Sequence, residues 1–236
     1  MNSCEPKMDN QGPADGYRGP SPWAGQSFLV ALGEDSHRIC GADLEEDNDR
    51  VGGANLGEDN QRGGGADLGE DNQRSCAPSL GHKLVLGGYL LPLIDPLYVK
   101  ANSDGDVVLH ALIRALTGLS GQVYLGSPLI EEPVRAGERN SCQLFRLAWN
   151  QCQKDFAQRG QKIFLRHLSI SIEAKLPQIA PHALAIRQSL AGLTGLEIED
   201  IGLTAMTGEG LTACGKGEGI RSLVIVTAQT QQLAAK

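Results

Sequence analysis

Apolar residues recur at helical spacing in the stretch that follows Asp106. They occupy positions 107, 109, 112, 113 and 116, a spacing typical of an amphipathic helix with one face in the core. Ser103 and Asp106 have the spacing of a capping box, and the carboxylates of Asp104 and Asp106 favour the positive end of a helix. We therefore expect a helix that begins at this turn.

Further apolar segments have the alternation or the glycine boundaries of strands. We predict strands over residues 27–33, 83–92, 162–174, 201–207 and 220–228. A second helix is expected between the capping residue Asn140 and Gly160, and a third over residues 177–193. Residues 118–137 are rich in Gly, Ser, Pro and charge, which indicates a lid or a connecting loop.

Three polar residues within or beside these apolar segments are candidates for metal binding. Asp35 and His37 are two residues apart, so in an extended segment both side chains face the same way and could reach one ion. His110 lies one helical turn after Asp106, whose carboxylate could orient the imidazole as it would a metal-bound histidine. A surface turn at residues 35–37 and a packed core histidine at position 110 are the alternatives.

Two segments have the composition of chain that does not fold by itself. Residues 1–26 are rich in Pro, Gly, Asp and Asn, and we expect a disordered leader there. Residues 41–50, 53–62 and 65–74 repeat with a period of twelve residues, each copy holding one leucine among acidic, amide and glycine residues. We expect residues 41–80 to be a flexible insertion into a domain over 27–232. Calcium binding is the alternative, but the copies lack the ligand pattern of an EF-hand loop.

Composition narrows the classes of function. The chain has 236 residues and a net charge of −7, which excludes a basic nucleic-acid binder and requires local cations or metals for any anionic substrate. No apolar run reaches the ~20 residues of a membrane span, and the N-terminus has no signal-peptide pattern, so we predict a cytoplasmic protein. The six cysteines form no CxxC pair and are expected to be reduced structural thiols.

A glycine-rich segment joins the last two predicted strands. Residues 208–219 contain five glycines, bracketed by Thr207 and including the cation of Lys216. Such a loop lets backbone amides approach phosphate oxygens. A flexible hairpin loop is an equally good interpretation of its composition.

Taken together, three motifs resemble the 2-C-methyl-D-erythritol 2,4-cyclodiphosphate synthase family. DSH at residues 35–37 resembles the family's DxH, and SDGDVVLH at 103–110 resembles its SDGDxxxH. TGEGL at 207–211 and GKGEG at 215–219 resemble TTEKLG and GRGEG. The amino-acid sequence of the second motif is similar to the variant found in chlamydial enzymes. The resemblance runs from residue 28 to about 228, interrupted by the repeats.

The resemblance implies a phosphorus–oxygen lyase of non-mevalonate isoprenoid biosynthesis. It would cyclise 4-diphosphocytidyl-2-C-methyl-D-erythritol 2-phosphate and release CMP, a task of alignment and charge neutralisation that needs no protein nucleophile. Asp35, His37 and His110 would hold a zinc ion in an open site. Glu209 would hold magnesium or manganese on the substrate diphosphate.

The resemblance also implies the residues that bind substrate. Thr207 and Lys216 match phosphate-binding positions and, with Glu209, form the expected catalytic set. Asn102 and Ser103 match the pair that contacts the methylerythritol phosphate. Four residues match the wall of the cytidine pocket: Ala174, Pro177, Ile179 and Ala180. The implied fold is α+β, a mixed four-stranded sheet with helices on one face, assembled as a homotrimer with active sites between subunits and without nucleic acid or membrane as a partner.

The sequence departs from the family pattern at several positions. Asn102 replaces the usual histidine, Arg114 replaces an acidic residue four positions after the metal histidine, and Gln178 replaces a common lysine. The family segment that contacts the sugar has no match in residues 119–128. These departures motivate an alternative, a catalytically impaired relative that still binds zinc and a cytidine nucleotide. A more remote alternative is a structural role in which the acidic repeats bind calcium or a protein.

Overall fold

A computed structural model describes residues 26–40, 82–92, 98–99, 101 and 103–233 of the chain. The predicted insertion and nearly all of the predicted leader lie outside these described residues, and so does Asn102. Within the described part, no helix is long and apolar enough to cross a bilayer. The predicted cytoplasmic location stays a prediction.

Eight strands are present among the described residues. They are β1 (Gln26–Cys40), β2 (His82–Lys83), β3 (Val85–Leu86), β4 (Tyr89–Leu90), β5 (Tyr98–Val99), β6 (Gln161–Glu173), β7 (Ile201–Met206) and β8 (Gly219–Gln232). The four long strands lie in the order β1–β8–β6–β7, and β5 and β2 extend the sheet beyond β1. β8 is antiparallel to β1 and β6, whereas β7 is parallel to β6. The predicted mixed sheet of four main strands is confirmed.

Five α-helices accompany the sheet in the described part. They are α1 (Val107–Ser120), α2 (Pro128–Arg135), α3 (Ser141–Gln158), α4 (Ala183–Thr194) and α5 (Ala213–Lys216). The helix predicted from Asp106 and the one capped by Asn140 are confirmed as α1 and α3. The predicted loop over residues 118–137 is wrong in part, because it contains α2. The third predicted helix begins at Ala183, after a 3-10 turn at residues 180–182.

The sheet has one covered face and one open face. Alternate residues of β6 and β8 point into the core under the helices, and Ile170, Ile172, Val224 and Val226 are buried there. On the opposite face, apolar side chains of β1 stay exposed, with Val30 at 68%. This face of β1 therefore exposes several apolar side chains in the single chain.

The glycine-rich segment is not a hairpin loop. Its flanking strands β7 and β8 are not neighbours, because β6 lies between them. The connection over residues 207–218 therefore crosses the end of β6, and it contains a 3-10 turn at Gly208–Gly210 followed by the short helix α5. The hairpin alternative is wrong, and the segment is placed at the end of the sheet.

Asp106 fixes the start of α1. Its Oδ1 accepts hydrogen bonds from the backbone amides of Val108 at 3.1 Å and Leu109 at 3.0 Å, so Asp106, and not Ser103, is the N-cap. The same carboxylate accepts from the amides of Gly87 and Gly88, the turn of the β3–β4 hairpin. Burial raises the pKa of Asp106 to about 6, although the amide donors act to lower it. One buried carboxylate thus ties the hairpin to α1.

Replacing Asp106 with Ala should destabilise the metal-free protein by about 2–4 kcal/mol, because buried amides lose their acceptor. Urea unfolding followed by circular dichroism measures the loss. Asn140→Ala is the matched control, since Asn140 caps α3 through one exposed contact to the amide of Cys142; it should cost about 1 kcal/mol. Equal losses in the two variants would contradict the role given to Asp106.

Candidate active site

Asp35, His37 and His110 converge on the covered side of β1. The Oδ2 atom of Asp35 lies 3.1 Å from Nε2 of His37 and 3.1 Å from Nδ1 of His110, and these two nitrogens are 3.1 Å apart. Three ligands about 2.0–2.1 Å from a tetrahedral zinc ion would be separated by roughly 3.3 Å. The three atoms therefore have the spacing of a preformed divalent metal site, and the predicted triad is brought together.

Small residues on both β1 and α1 allow the two elements to approach closely enough for this contact. A Cβ atom on Gly33 would lie 1.9 Å from the carbonyl oxygen of Ala111, and one on Gly118 would lie 2.9 Å from Cβ of Ala31. The sequence predicted that the first strand ends at Gly33, but β1 continues to Cys40. The missing side chain of Gly33 lets the helix backbone rest on the strand, which places His110 opposite Asp35.

The Asp35 carboxylate is held in its ionised form. Burial acts to raise its pKa, but hydrogen bonds from His110 and His37 and their charges outweigh burial and hold the pKa of Asp35 well below its usual value. The second carboxylate oxygen, Oδ1, forms an ion pair with Nη2 of Arg114 at 3.3 Å. An anionic oxygen, Oδ2, is thus available to a cation.

Two serines orient the other side of the His110 ring. Nε2 lies 3.1 Å from Oγ of Ser103 and 3.2 Å from Oγ of Ser141, and Ser141 in turn donates to the carboxylate of Asp104. An imidazole that binds metal through Nδ1 carries its proton on Nε2, where these hydroxyl oxygens accept it. The predicted contact with Asp106 is wrong, because that carboxylate is occupied by backbone amides.

A pocket of about 610 Å³ lies at the carboxyl-terminal ends of β6 and β7. It is lined by Ala174, Pro177, Gln178, Ile179, Ala180, Ala205, Met206, Thr207, Gly208, Glu209 and Leu211. The four residues expected in the cytidine wall are all among these, together with Thr207 and Glu209. Two distant segments that the sequence assigned to one ligand therefore form one concave surface.

Backbone strain and a buried hydrogen bond shape the loop beside this pocket. Glu209 has φ of +48°, a left-handed conformation that costs energy in a residue with a side chain and is often retained at functional sites. Thr212 donates to the buried carboxylate of Glu173 and accepts from the amide of Gly215 at 2.9 Å. The loop is thus fastened to the end of β6, and Glu209 is presented to the pocket.

The predicted site residues fall into two separate groups. Asp35, His37 and His110 do not line the pocket, and neither do Ser103 and Lys216. Ser103 is only 4% exposed and faces His110, whereas Lys216 is exposed at the end of α5. The triad and the pocket lie on different parts of the chain.

Sequence comparisons agree with this architecture. The YgbB family model matches residues 63–229. A protein of Chlamydia muridarum named 2-C-methyl-D-erythritol 2,4-cyclodiphosphate synthase is 34% identical over 144 residues, which is 61% of this chain and 75% of the relative. A protein of the same name from Treponema denticola is 34% identical over 143 residues, 61% of this chain and 84% of the relative.

Comparisons of structure cover a larger share of the chain than these sequence relatives do. A 2C-methyl-D-erythritol-2,4-cyclodiphosphate synthase structure in a CDP-bound form is 27% identical, with a TM-score of 0.55 over 84% of this chain and 98% of the other. A Plasmodium falciparum CDP complex is 17% identical and shares the fold, with a TM-score of 0.57 over 88% of this chain and 97% of the other. The family match begins after β1. In the sheet, however, β1 pairs with β8, most of which lies within the matched residues. The chain therefore belongs to the YgbB family, as the three motifs predicted.

Proposed function

We propose that this protein converts 4-diphosphocytidyl-2-C-methyl-D-erythritol 2-phosphate into 2-C-methyl-D-erythritol 2,4-cyclodiphosphate and CMP. An oxygen of the 2-phosphate attacks the β-phosphorus, the bond from that phosphorus to the oxygen of CMP breaks, and an eight-membered ring forms. The observation that carries the proposal is the Asp35–His37–His110 triad, assembled from two segments on either side of the repeats. The named relatives support the choice of reaction.

The metal at the triad is proposed to be zinc. One carboxylate and two imidazoles are the protein ligands of open, catalytic zinc sites, in which a fourth position is left for substrate. Bound there, the ion would polarise a phosphate oxygen. Asp35 and the two histidines would supply the ligand atoms, and once Nδ1 of His110 binds the ion, Ser103 and Ser141 would accept the proton on Nε2.

The pocket residues are proposed to bind the cytidine diphosphate part of the substrate. Ala174, Pro177, Ile179 and Ala180 form an apolar wall suited to a base and ribose. Glu209, held in its strained conformation, is proposed to bind magnesium or manganese together with the diphosphate.

Further contacts to the substrate phosphates follow from the family motifs. Thr207 lines the pocket and is proposed to bind phosphate, as is Lys216. Asn102 and Ser103 are proposed to contact the methylerythritol phosphate, as the family motif implies.

A homotrimer is proposed to bring the metal triad of one copy together with the pocket of a neighbouring copy. The open face of the sheet exposes Phe28, Val30, Leu32 and Phe164, each by at least 40%, and burial of such a surface drives association. A substrate with a cytidine end and a second phosphate needs the pocket and the triad together. In each active site, one copy is proposed to supply the pocket and its neighbour the triad.

A catalytically impaired relative is the second candidate. Gln178 lines the pocket at the position where the family commonly has lysine, so one cation is missing from this surface. Such a protein would bind zinc and CMP without turnover.

Turnover separates the two candidates. Incubation of the full chain with zinc, magnesium and the substrate should yield CMP and the cyclic diphosphate, followed by phosphorus NMR. Glu209→Gln should lower kcat by about 100-fold or more, because the second ion loses its carboxylate. Glu199→Gln, an exposed residue before β7, is the control and should leave kcat unchanged. CMP binding by a metal-loaded protein with no product would support the impaired relative instead.

His110→Ala should abolish retention of zinc after dialysis, because two of the three ligands cannot hold the ion at the same affinity. Metal content is measured by mass spectrometry of the purified protein. His167→Ala, which removes an exposed histidine of β6, should keep the wild-type content. Stoichiometric zinc in His110→Ala would show that the ligand assignment is wrong.

Ser141→Ala should weaken zinc binding by about 10–100-fold, because the imidazole of His110 loses one of the oxygens that orient it. Competition with a chelator gives the affinity, and the nitrogen chemical shifts of His110 report the tautomer. Ser120→Ala is the matched control, since Ser120 is also a buried serine but bonds to the carbonyl of Leu116. Unchanged affinity and tautomer in Ser141→Ala would contradict the orienting role.

A further inference from the structure

Arg114 divides the two oxygens of the Asp35 carboxylate between different partners. It lies one helical turn after His110 on the same side of α1. Its Nη2 atom is 3.3 Å from Oδ1 of Asp35, while Oδ2 is the oxygen shared with the histidines. The guanidinium therefore stands beside the metal-binding atoms without competing for the oxygen that faces them.

Arg114 is also the most exposed member of this cluster. Its side chain is 50% exposed, whereas the side chains of Asp35, His37 and His110 are 10%, 17% and 9% exposed. Among the described residues, Asp35 is the acidic group that Arg114 contacts. A guanidinium has five N–H donors in a planar fork, so donors remain for a ligand that arrives from solvent.

The charges at the triad favour an anion. A divalent ion bound to one carboxylate and two neutral imidazoles retains a net positive charge, and Arg114 adds a second one at the exposed side. The chain as a whole carries −7, so these local cations are what an anionic substrate would meet. A phosphate group has several non-bridging oxygens and can contact a metal ion and a guanidinium with different ones.

We propose that Arg114 is a phosphate-binding residue of this site. It binds a non-bridging oxygen of the same phosphate group that occupies the open position of the metal ion. The proposal deepens the proposed function, on which it rests for the metal ion and for a phosphorylated substrate. The family pattern has an acidic residue at this position, so the contact reverses the local charge and is a property of this chain.

Binding of inorganic phosphate to the zinc-loaded full chain tests the proposal, with affinity measured by phosphorus NMR titration and zinc content by mass spectrometry. Arg114→Gln should raise the Kd by about tenfold or more with zinc retained, because a charge-assisted contact is lost. Arg114→Lys keeps the charge but loses the planar fork of donors, so its Kd should lie between those of wild type and Arg114→Gln. Arg146→Gln, an exposed arginine on α3, is the control and should match wild type.

Two results would overturn the proposal. Phosphate affinity in Arg114→Gln within twofold of wild type would show that the guanidinium does not bind the anion. Loss of zinc in Arg114→Gln would show that it acts by positioning Asp35 instead. Neither readout depends on turnover. If the zinc-loaded protein binds phosphate through Arg114 but forms no cyclic diphosphate, the proposed reaction is contradicted and this inference is supported.

Discussion

The close contact between α1 and the backbone of β1 is the constraint on which the candidate site depends. A helix normally packs on a sheet through side chains from both, which keeps their backbones apart. Here Gly33 offers no side chain, and the carbonyl of Ala111 occupies the space that a Cβ atom would take. His110 precedes Ala111 in the helix and is thereby carried to Asp35 and His37. A larger residue at position 33 would separate the ligands without altering any of them.

Buried polar contacts then fix the rotation and the start of α1. Asp106 holds the first amides of the helix and the turn of the β3–β4 hairpin, so the helix cannot shift along its axis without breaking several hydrogen bonds. Asp104 accepts from both the amide and the hydroxyl of Ser141, which joins α3 to the same turn. Since unsatisfied buried groups are costly, this network acts as one unit. The orientation of His110 is a consequence of it.

Periodicity predicted the long elements because it is a local property of the sequence, whereas the metal triad was implied by the resemblance of three separate motifs to one family. Sequence patterns missed what depends on distant residues. Ser141 meets His110 only after α3 has folded against α1, and the closeness of Gly33 to Ala111 is invisible until strand and helix are packed. The glycine-rich loop was open to interpretation as a hairpin because composition does not reveal that β6 separates β7 from β8. The predicted contact between Asp106 and His110 was wrong because backbone amides of the β3–β4 turn, which are remote in sequence, donate to the Asp106 carboxylate.

A metal ion bound by Asp35, His37 and His110 is proposed to work together with the pocket at the ends of β6 and β7. Anomalous diffraction at the zinc absorption edge, from crystals of the full chain soaked with CDP, tests this most directly. We expect one zinc peak per chain beside the Asp35 Oδ2 atom, with the nucleotide in the pocket lined by Ala174 and Glu209. Absence of a peak at the triad, or a nucleotide bound elsewhere, would contradict it.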